Sequence, residues 1–316
     1  MPPLRIVFFG TAELACASLS ALTRVPGVQL VAVVTQPDRP RGRHLNSQAS
    51  PVKTLAQLHD LALLQPERAR SESFLIQLAQ LQPDLIVVVA YGQILPAQIL
   101  ALPRFGCLNV HASILPKFRG AAPIQWAILS DERETGVTLM KMDQGLDTGD
   151  ILDLRTTPIS TDDDAETLHE RLAAMGAGLL IETLPGYVAG AIHPRQQVHA
   201  SATYARKISR EDGRIDWSQP ARAIWNRVRA FVPWPGCCTV SRAEEKRPLL
   251  KIWRAEVVEQ GDGLPGEILA SEKTAIVVAC GRQALSILEL QREGGRRLGV
   301  REFLAGHPLR AGQRWE

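Results

Sequence analysis

Short, continuous apolar runs alternate with helical patterns over the first part of the chain. A strand covered on both faces has no polar side, so such runs predict a buried parallel sheet. Helical patterns at residues 51–59 and 74–81 fall between the runs. The alternation predicts an α/β domain built on a doubly wound, Rossmann-like parallel sheet. The predicted strands are Leu4 to Phe9, Leu30 to Thr35, Leu85 to Ala90, Cys107 to Val110 and Val137 to Met142.

The last third of the chain has shorter β-rich runs separated by glycines, which is typical of a small barrel. These runs are Leu249 to Arg254, Gly266 to Ala270, Thr274 to Cys280 and Ala284 to Leu290. Both patterns lapse at residues 189–208, which we interpret as a linker. We therefore expect a catalytic domain at 1–188 and a second domain at 209–316. Five of the six tryptophans lie after the linker, and core anchoring explains them better than base stacking.

Composition bounds the class of protein without identifying it. With 316 residues and 45% hydrophobic content, the chain is long enough to bury the cores of two domains. Its apolar runs are shorter than the roughly 18 residues of a membrane span, and the first residues do not resemble a signal peptide, so we expect a cytoplasmic protein without membrane contact. The five cysteines include no Cys-x-x-Cys pair, which favours reduced thiols over disulfides or a metal site.

Charge becomes informative when it is divided along the chain. Residues 206–316 contain 20 Lys and Arg against 14 Asp and Glu, a net charge of +6. The remaining residues contain 16 against 19, a net charge of −3. A basic C-terminal part suggests a polyanionic substrate held away from the reacting group, although solubility alone would explain a charge of this size.

Three polar groups suited to acyl chemistry fall within forty residues. Asn109 and His111 close a predicted strand and, being two apart, point the same way. Asp147 follows the next strand on a glycine-flanked loop, where it could set the tautomer and charge of the imidazole. A histidine at the end of a strand is more often structural than catalytic. Here the convergence of polar residues at the carboxyl ends of several strands favours a carbonyl-activating site.

Two other kinds of site are disfavoured by the residues around the strand ends. Gly10 follows the first strand, but the second and third glycines of a dinucleotide fingerprint are absent. Ser113 lies near a histidine and an aspartate, but it lacks the Gly-x-Ser-x-Gly elbow of a nucleophile. We expect Ser113 to donate a hydrogen bond from an extended loop. The residues thus indicate a carbonyl-activating site that needs no serine or cysteine nucleophile.

The segment from Asn109 to Gln125 followed by Gly136 to Asp150 is very similar to the signature of the folate-dependent formyltransferases. Further motifs narrow the resemblance to the methionyl-tRNA formyltransferases and extend it over nearly the whole chain. These motifs are Gln36 to Arg43, Ser50 to Lys53, Val88 to Gly92, Gly213 to Ser218 and Phe231 to Pro235. The chain departs from the family pattern at Ala12 and Leu14, where a proline and a phenylalanine are usual. No position that the resemblance marks as catalytic is changed.

The resemblance implies that 10-formyltetrahydrofolate donates its formyl group to the free α-amino group of methionine on charged initiator tRNA, in the service of translation initiation. Asn109 and His111 would stabilise the tetrahedral oxyanion, and Asp147 would orient His111 and assist removal of the amine proton. The folate would contact the segment of Ser113, Ile114, Leu115 and Pro116. The second domain would be an OB-type barrel, the chain a monomer, and no metal would be needed.

Transfer RNA contacts are expected on basic residues. The loop at 36–50 is rich in arginine and should be exposed. An ordinary surface loop would have the same composition. By resemblance it reaches the tRNA acceptor stem through Arg43, with Arg41 beside it. Lys207 is expected to contact the tRNA after the linker. Further basic candidates in the second domain are Lys246, Arg247, Lys251, Arg296 and Arg297.

Three other functions fit part of the sequence. A formyltransferase acting on an amino sugar nucleotide shares the catalytic motif but does not need the basic loop or the basic C-terminal part. A hydrolase could release formate from the same carrier, because water can replace the amine. An RNA-binding protein with an inactive α/β domain is a non-enzymatic alternative, which the presence of Asn109, His111 and Asp147 disfavours.

Overall fold

The computed structural model describes residues 2–41, 46–241, 248–259, 262–272 and 274–316. The chain divides into two compact units. The first combines Met1–Pro123, Glu134–Pro158 and His169–Arg206. The second combines Ile124–Arg133, Ile159–Leu168 and Lys207–Glu316. Residues 189–206, which fall within the predicted linker, are therefore packed with the first unit.

The first unit contains a seven-stranded sheet with helices between its strands. Its strands are β1 (Leu4–Gly10), β2 (Val28–Val34), β5 (Leu63–Leu64), β6 (Leu85–Val89), β7 (Cys107–His111), β9 (Glu134–Lys141) and β10 (Ile151–Pro158). Two short pairs lie outside this sheet: β3 (Arg39–Arg41) with β4 (Asn46–Gln48), and β8 (Arg119–Gly120) with β11 (Tyr204–Ala205). This unit also contains α1 (Leu14–Leu22), α2 (Pro51–Leu58), α3 (Glu72–Gln80), α4 (Ala97–Leu100) and most of α6 (Ala165–Val188). Apart from its first residue, α5 (Pro123–Leu129) belongs to the second unit.

The predicted doubly wound sheet is confirmed, with one difference in strand direction. The strand order is β10-β9-β7-β6-β1-β2-β5, and the strands from β7 to β5 are parallel. The strand predicted at Val137 to Met142 corresponds to β9, which runs antiparallel to both β7 and β10. A run of apolar residues reports burial and not direction, so the pattern could not distinguish the two arrangements.

Local sequence explains why these elements form. All five residues of β6 are buried, as expected for a central strand covered on both faces. Helix α2 begins at Pro51, and the Ser50 side chain caps it by accepting a hydrogen bond from the Lys53 amide at 3.0 Å. The loop predicted at 36–50 contains the short hairpin of β3 and β4.

The second unit is built on a six-stranded antiparallel sheet. It contains β12 (Cys237–Val240), β13 (Leu249–Val258), β14 (Ile268–Ser271), β15 (Ile276–Ala279), β16 (Ala284–Arg292), β17 (Arg297–Gly299), α7 (Ala221–Ala230) and α8 (Val300–Gly306). The strand order is β12-β13-β16-β15-β14, and β17 pairs with β16. Arg314 bridges to Glu267 next to β14, and Trp315 bridges to Ser241 next to β12. The same short segment thus joins both edges of the sheet, as in the predicted barrel.

The tryptophans of the second unit mainly fill its core, as predicted. Trp217, Trp225 and Trp315 are buried, and the rings of Trp217 and Trp315 lie 6.0 Å apart. Trp253 is half-buried, and Trp234 is 54% exposed. Three of the five therefore act as the large core anchors that a small barrel requires.

Candidate functional site

Strand β7 presents Asn109 and His111 on one face, because side chains two residues apart in a strand point the same way. Both residues are buried, with 9% and 6% of their surfaces exposed. Asp147 lies in the loop that joins β9 to β10. Because β9 runs antiparallel to β7, with Lys141 opposite Leu108, this loop begins beside the first residues of β7, and Asp147 reaches Asn109 from there. The antiparallel turn of the sheet thus brings the aspartate to the other two residues.

The carboxylate of Asp147 is the centre of the cluster. Its Oδ2 accepts a hydrogen bond from the Gly120 amide at 2.8 Å. Its Oδ1 accepts a longer one from Asn109 Nδ2 at 3.4 Å. His111 Nδ1 lies 3.7 Å from Oδ2, which is an ion-pair distance for a protonated ring but too long for a hydrogen bond. The structure therefore brings together all three residues that the sequence singled out.

The surroundings of His111 determine where its protons lie. Its Nε2 is 3.0 Å from the Phe118 carbonyl oxygen, which can only accept, so Nε2 carries a hydrogen and donates. Its Nδ1 faces the Asp147 carboxylate, which is also an acceptor when ionised. The hydrogen on Nε2 is thus fixed by the backbone, and Nδ1 is the nitrogen that the carboxylate faces.

The loop that carries Asp147 is tightly folded. Asp143 Oδ1 accepts from the Gly145 amide at 3.0 Å and from Thr148 Oγ1 at 2.6 Å. Asp147 has a φ of +51°, a left-handed conformation that non-glycine residues adopt infrequently. A Cβ at Gly149 would lie 1.8 Å from the Lys141 carbonyl oxygen, so only glycine fits there. These features fix the course of the backbone on both sides of the carboxylate.

The segment 113–116, where folate contacts are predicted, is supported from β9. Thr138 Oγ1 donates to the Ser113 carbonyl at 2.7 Å and accepts from the Leu115 amide at 3.1 Å. Ser113 is buried, and its hydroxyl donates to the Lys117 carbonyl at 2.7 Å, so the predicted donor is used within the loop. Leu115 is buried, whereas Ile114 and Pro116 are half-buried. Ile114 and Pro116 are thus the members with accessible side-chain surface.

Two further strand ends lie in the same unit. Thr11, after β1, donates through Oγ1 to the Tyr91 carbonyl at 2.9 Å, and Gln36, after β2, donates through Nε2 to the same oxygen at 2.8 Å. Burial raises the pKa of the Tyr91 phenol to about 12. Ile94, three residues on, is 85% exposed. In the loop after β6, two hydrogen bonds thus hold the backbone at Tyr91, and the apolar side chain of Ile94 is accessible.

The residues of the first unit that are predicted to contact tRNA belong to the β3–β4 hairpin segment. The backbone of Arg41 ends β3, and Arg43 lies outside the described residues. Near the base of the hairpin, Lys53 Nζ is 2.6 Å from Asp38 Oδ2, and Gln65 Nε2 donates to Asp38 Oδ1 at 3.0 Å. The hydrogen bond from Lys53 holds the pKa of Asp38 below its ordinary value. Asp38 thus anchors the start of the basic hairpin.

Two of the basic residues that are candidates for tRNA contact in the second unit lie beside Trp253. Lys251 Nζ donates to the Pro235 carbonyl at 3.1 Å and lies 5.4 Å from the centre of the Trp253 ring. Arg297 pairs with Glu289 at 2.5 Å and lies 5.5 Å from the same ring. Among the other candidates, Lys207 and Arg296 are exposed, and Lys246 and Arg247 lie outside the described residues.

Several contributors to the site were not identified from the sequence. The Gly120 amide and the Phe118 carbonyl are backbone groups, for which residue type gives little signal. Thr138 lies within an apolar run, where its hydroxyl was the only available clue. Gln197, which donates to the Asp147 carbonyl at 2.9 Å, lies in the stretch interpreted as a linker. The sequence therefore did not reveal the backbone groups of the site or the side chains that hold its loops in place.

The described ranges contain neither a metal-binding cluster nor a membrane-spanning helix. No group of histidine, cysteine and acidic side chains in them is arranged to hold a metal ion. None of their helices combines the length and apolar character of a membrane span. All five cysteines are free thiols, of which Cys107, Cys237 and Cys280 are buried.

Comparison with known proteins places the chain in a family. Residues 4–184 match the model of the formyl transferase family, and residues 207–308 match its C-terminal domain. The methionyl-tRNA formyltransferase of Caldanaerobacter subterraneus subsp. tengcongensis is 51% identical over 98% of this chain and 99% of its own.

Solved structures share the fold at low sequence identity. The sugar 3N-formyl transferase WlaRD matches with a TM-score of 0.66 and 18% identity, over 90% of this chain and 97% of its own. HypX from Aquifex aeolicus, solved with tetrahydrofolic acid, matches with a TM-score of 0.63 and 20% identity, over 95% of this chain and 46% of its own. On the strength of its sequence matches, the chain belongs to the formyl transferase family and, within it, to the methionyl-tRNA formyltransferases.

Proposed function

We propose that the protein transfers the formyl group of 10-formyltetrahydrofolate to the α-amino group of methionine on charged initiator tRNA. The observation that carries this proposal is the cluster of Asn109, His111 and Asp147 at the end of β7, in a chain half identical to a methionyl-tRNA formyltransferase. Amide, imidazole and carboxylate are the groups that an acyl transfer to an amine requires.

The reaction begins with attack of the amine nitrogen on the formyl carbon. The new carbon–nitrogen bond gives a tetrahedral oxyanion, which Asn109 and the protonated His111 stabilise, at about 3 kcal/mol per donor in comparable sites. The bond to N10 of the carrier then breaks. The amine loses one proton, N10 gains one, and the products are formylmethionyl-tRNA and tetrahydrofolate. No covalent intermediate with the protein is needed.

The long contacts of Asn109 and His111 with Asp147 suit these roles. At 3.4 and 3.7 Å neither donor is strongly committed to the carboxylate, and donors of this kind tighten onto the reacting oxygen only when substrate binds. Asp147 keeps a short hydrogen bond from the Gly120 amide at 2.8 Å and so stays in place. It then balances the charge of His111 and accepts the amine proton through water.

For the carrier, we place the folate against Ser113, Ile114, Leu115 and Pro116. The two hydrogen bonds of Thr138 hold this segment in one conformation, so its backbone groups are preorganised for a ligand. The exposed Ile94 offers an apolar surface of the kind that a flat heterocycle covers. The structural neighbours solved with tetrahydrofolic acid or with 5-N-formyl-THF add support for a folate donor.

For the acceptor, we assign tRNA contacts to Arg41 and Arg43 on the hairpin and to Lys207 in the second unit. The net charge of +6 on residues 206–316 supports a polyanionic partner. Phosphate contacts release counterions, so the affinity for tRNA should fall steeply as salt is raised. The affinity for the folate should change much less.

The proposal is tested by supplying 10-formyltetrahydrofolate with one acceptor at a time and measuring tetrahydrofolate release. The acceptors are methionine-charged initiator tRNA, uncharged tRNA, an amino sugar nucleotide, and none. Release with the charged initiator tRNA alone is the expected result. Release with the sugar would replace this function by sugar formylation, and release without an acceptor would indicate a hydrolase. Binding of tRNA without any release would favour a non-catalytic protein.

A further inference from the structure

The side chain of Gln197 holds the backbone of the Asp147 loop at two points. Its Nε2 donates to the Asp147 carbonyl oxygen at 2.9 Å and to the Gly149 carbonyl oxygen at 2.7 Å. Gln197 is 5% exposed, so water competes little for these contacts. One amide group therefore fixes two peptide units of the loop, the one that follows Asp147 and the one that follows Gly149.

Arg119 fixes the orientation of that amide. Its Nε and Nη2 donate to Gln197 Oε1 at 3.1 and 2.7 Å. A guanidinium can only donate, so Gln197 must turn its carbonyl toward Arg119 and its amino group toward the loop. Arg119 is 2% exposed, and its Nη2 also donates to His199 Nδ1 at 3.1 Å. The guanidinium is therefore committed to this network.

Arg119 and Gly120 together hold Asp147 from two sides. The Gly120 amide binds the carboxylate at 2.8 Å, while Arg119 acts on the backbone through Gln197. The β8–β11 pair anchors both residues, and the Arg119 amide donates to the Thr203 carbonyl at 2.9 Å. Asp147 adopts a φ of +51°, and such a conformation persists only where the surroundings impose it.

We propose that Gln197, oriented by the buried Arg119, is a positioning residue for Asp147 in formyl transfer. The inference rests on the proposed function, because the role of Asp147 is defined by that reaction. Gln197 contacts the backbone of Asp147 and Gly149, so its effect on the reaction passes through the placement of the carboxylate.

Two substitutions separate this role from general support of the fold. Gln197→Leu removes all of the amide contacts. Gln197→Glu keeps an acceptor for Arg119 but cannot donate to the two carbonyl oxygens. Both should lower kcat by about 10- to 100-fold, the usual cost of losing a supporting hydrogen bond or misplacing a reacting group. The KM for 10-formyltetrahydrofolate should change little. Gln196→Leu, at the exposed neighbouring residue, is the matched control.

A double-mutant cycle with Asp147→Asn decides the matter. If Gln197 acts through Asp147, adding Gln197→Glu to Asp147→Asn should lower kcat by less than threefold further. Full multiplication of the two effects would overturn the proposal, and so would a Gln197→Glu enzyme as fast as the wild type. If Gln197→Leu does not fold, Gln197→Glu carries the test alone. A wild-type protein that cannot formylate charged tRNA would remove the proposed function first, and this inference with it.

Discussion

Replacing Asp147 by asparagine tests the centre of the site with the smallest change of shape. The amide can still accept from the Gly120 amide, which lies 2.8 Å from Oδ2. What it removes is the negative charge 3.7 Å from His111 Nδ1. We expect the folded protein to persist and turnover to fall steeply, because the imidazolium loses its counter-charge.

The size of the effect follows from the geometry. Two unit charges about 4 Å apart attract by about 4 kcal/mol at the effective dielectric constant of about 20 that applies near a protein surface. If the whole of this attraction is needed to keep His111 in the protonated form that stabilises the oxyanion, its loss corresponds to about 10³ in rate. The Asp147 side chain is 14% exposed, so water screens part of the interaction. We therefore expect kcat to fall between about 10² and 10³-fold.

The assay is formylation of methionine-charged initiator tRNA at saturating 10-formyltetrahydrofolate, with folate binding measured separately. Asp150→Asn is the matched control, because Asp150 lies in the same loop and its carboxylate has no hydrogen bond or ion pair with the described residues. It should keep most of the activity. A rate for Asp147→Asn within threefold of the wild type would refute the reasoning, and so would equal losses in the two variants.

Other expectations follow from the same contacts. His111→Ala should lower kcat about as much as Asp147→Asn, with little loss of substrate binding, and near-normal turnover would contradict its role. Thr138→Val leaves two backbone groups of the 113–116 segment without their partner, so it should cost about 1–3 kcal/mol in thermal unfolding and weaken folate binding measured by calorimetry. Burial raises the pKa of the Cys107 thiol to about 12, so its alkylation at pH 7.4 should be far slower in native than in urea-unfolded protein, and equal rates would exclude this burial. Arg43→Ala should raise the KM for charged tRNA and leave folate affinity unchanged, whereas equal losses of both would place Arg43 elsewhere.

The buried strands of the first unit were predictable because each one contains a short run of mainly apolar residues. Strands β1, β6 and β7 agree with their predictions within one residue at either end. Strand β10 was not predicted, because this edge strand is only partly buried and its polar residues hide it. Such a strand carries too few apolar residues to stand out from a loop.

Helix α6 was missed for a different reason. It spans 24 residues but contains several glycines and Pro185, which normally break helices. The structure explains one of these glycines, since a Cβ at Gly176 would lie 2.6 Å from Cγ1 of Val110 in β7. The helix tolerates a poor helix former there because it packs closely against the strand that carries the site. Such a reason lies in tertiary contact and leaves no local signal.

In the candidate site, the side chains proposed to take part in the reaction could be predicted from the sequence, whereas the groups that hold them in place could not. Asn109, His111 and Asp147 could be selected because few other functions need an amide, an imidazole and a carboxylate together. Gln197 could not, because a glutamine in a polar stretch is usually a surface residue. Its importance arises only after folding, when residues fifty positions apart meet.

Irregular backbone is concentrated where the polar groups converge. Phe118, Gly120 and Asp147 all have positive φ, at +59°, +116° and +51°. Phe118 supplies the carbonyl that fixes His111, Gly120 supplies the amide that fixes Asp147, and Asp147 supplies the carboxylate. These two contacts use backbone groups. In a regular strand or helix, the same carbonyl and amide would be occupied by the hydrogen bonds of that element. The left-handed turns release backbone groups for the site, and the network from Arg119 and Gln197 holds them in that state.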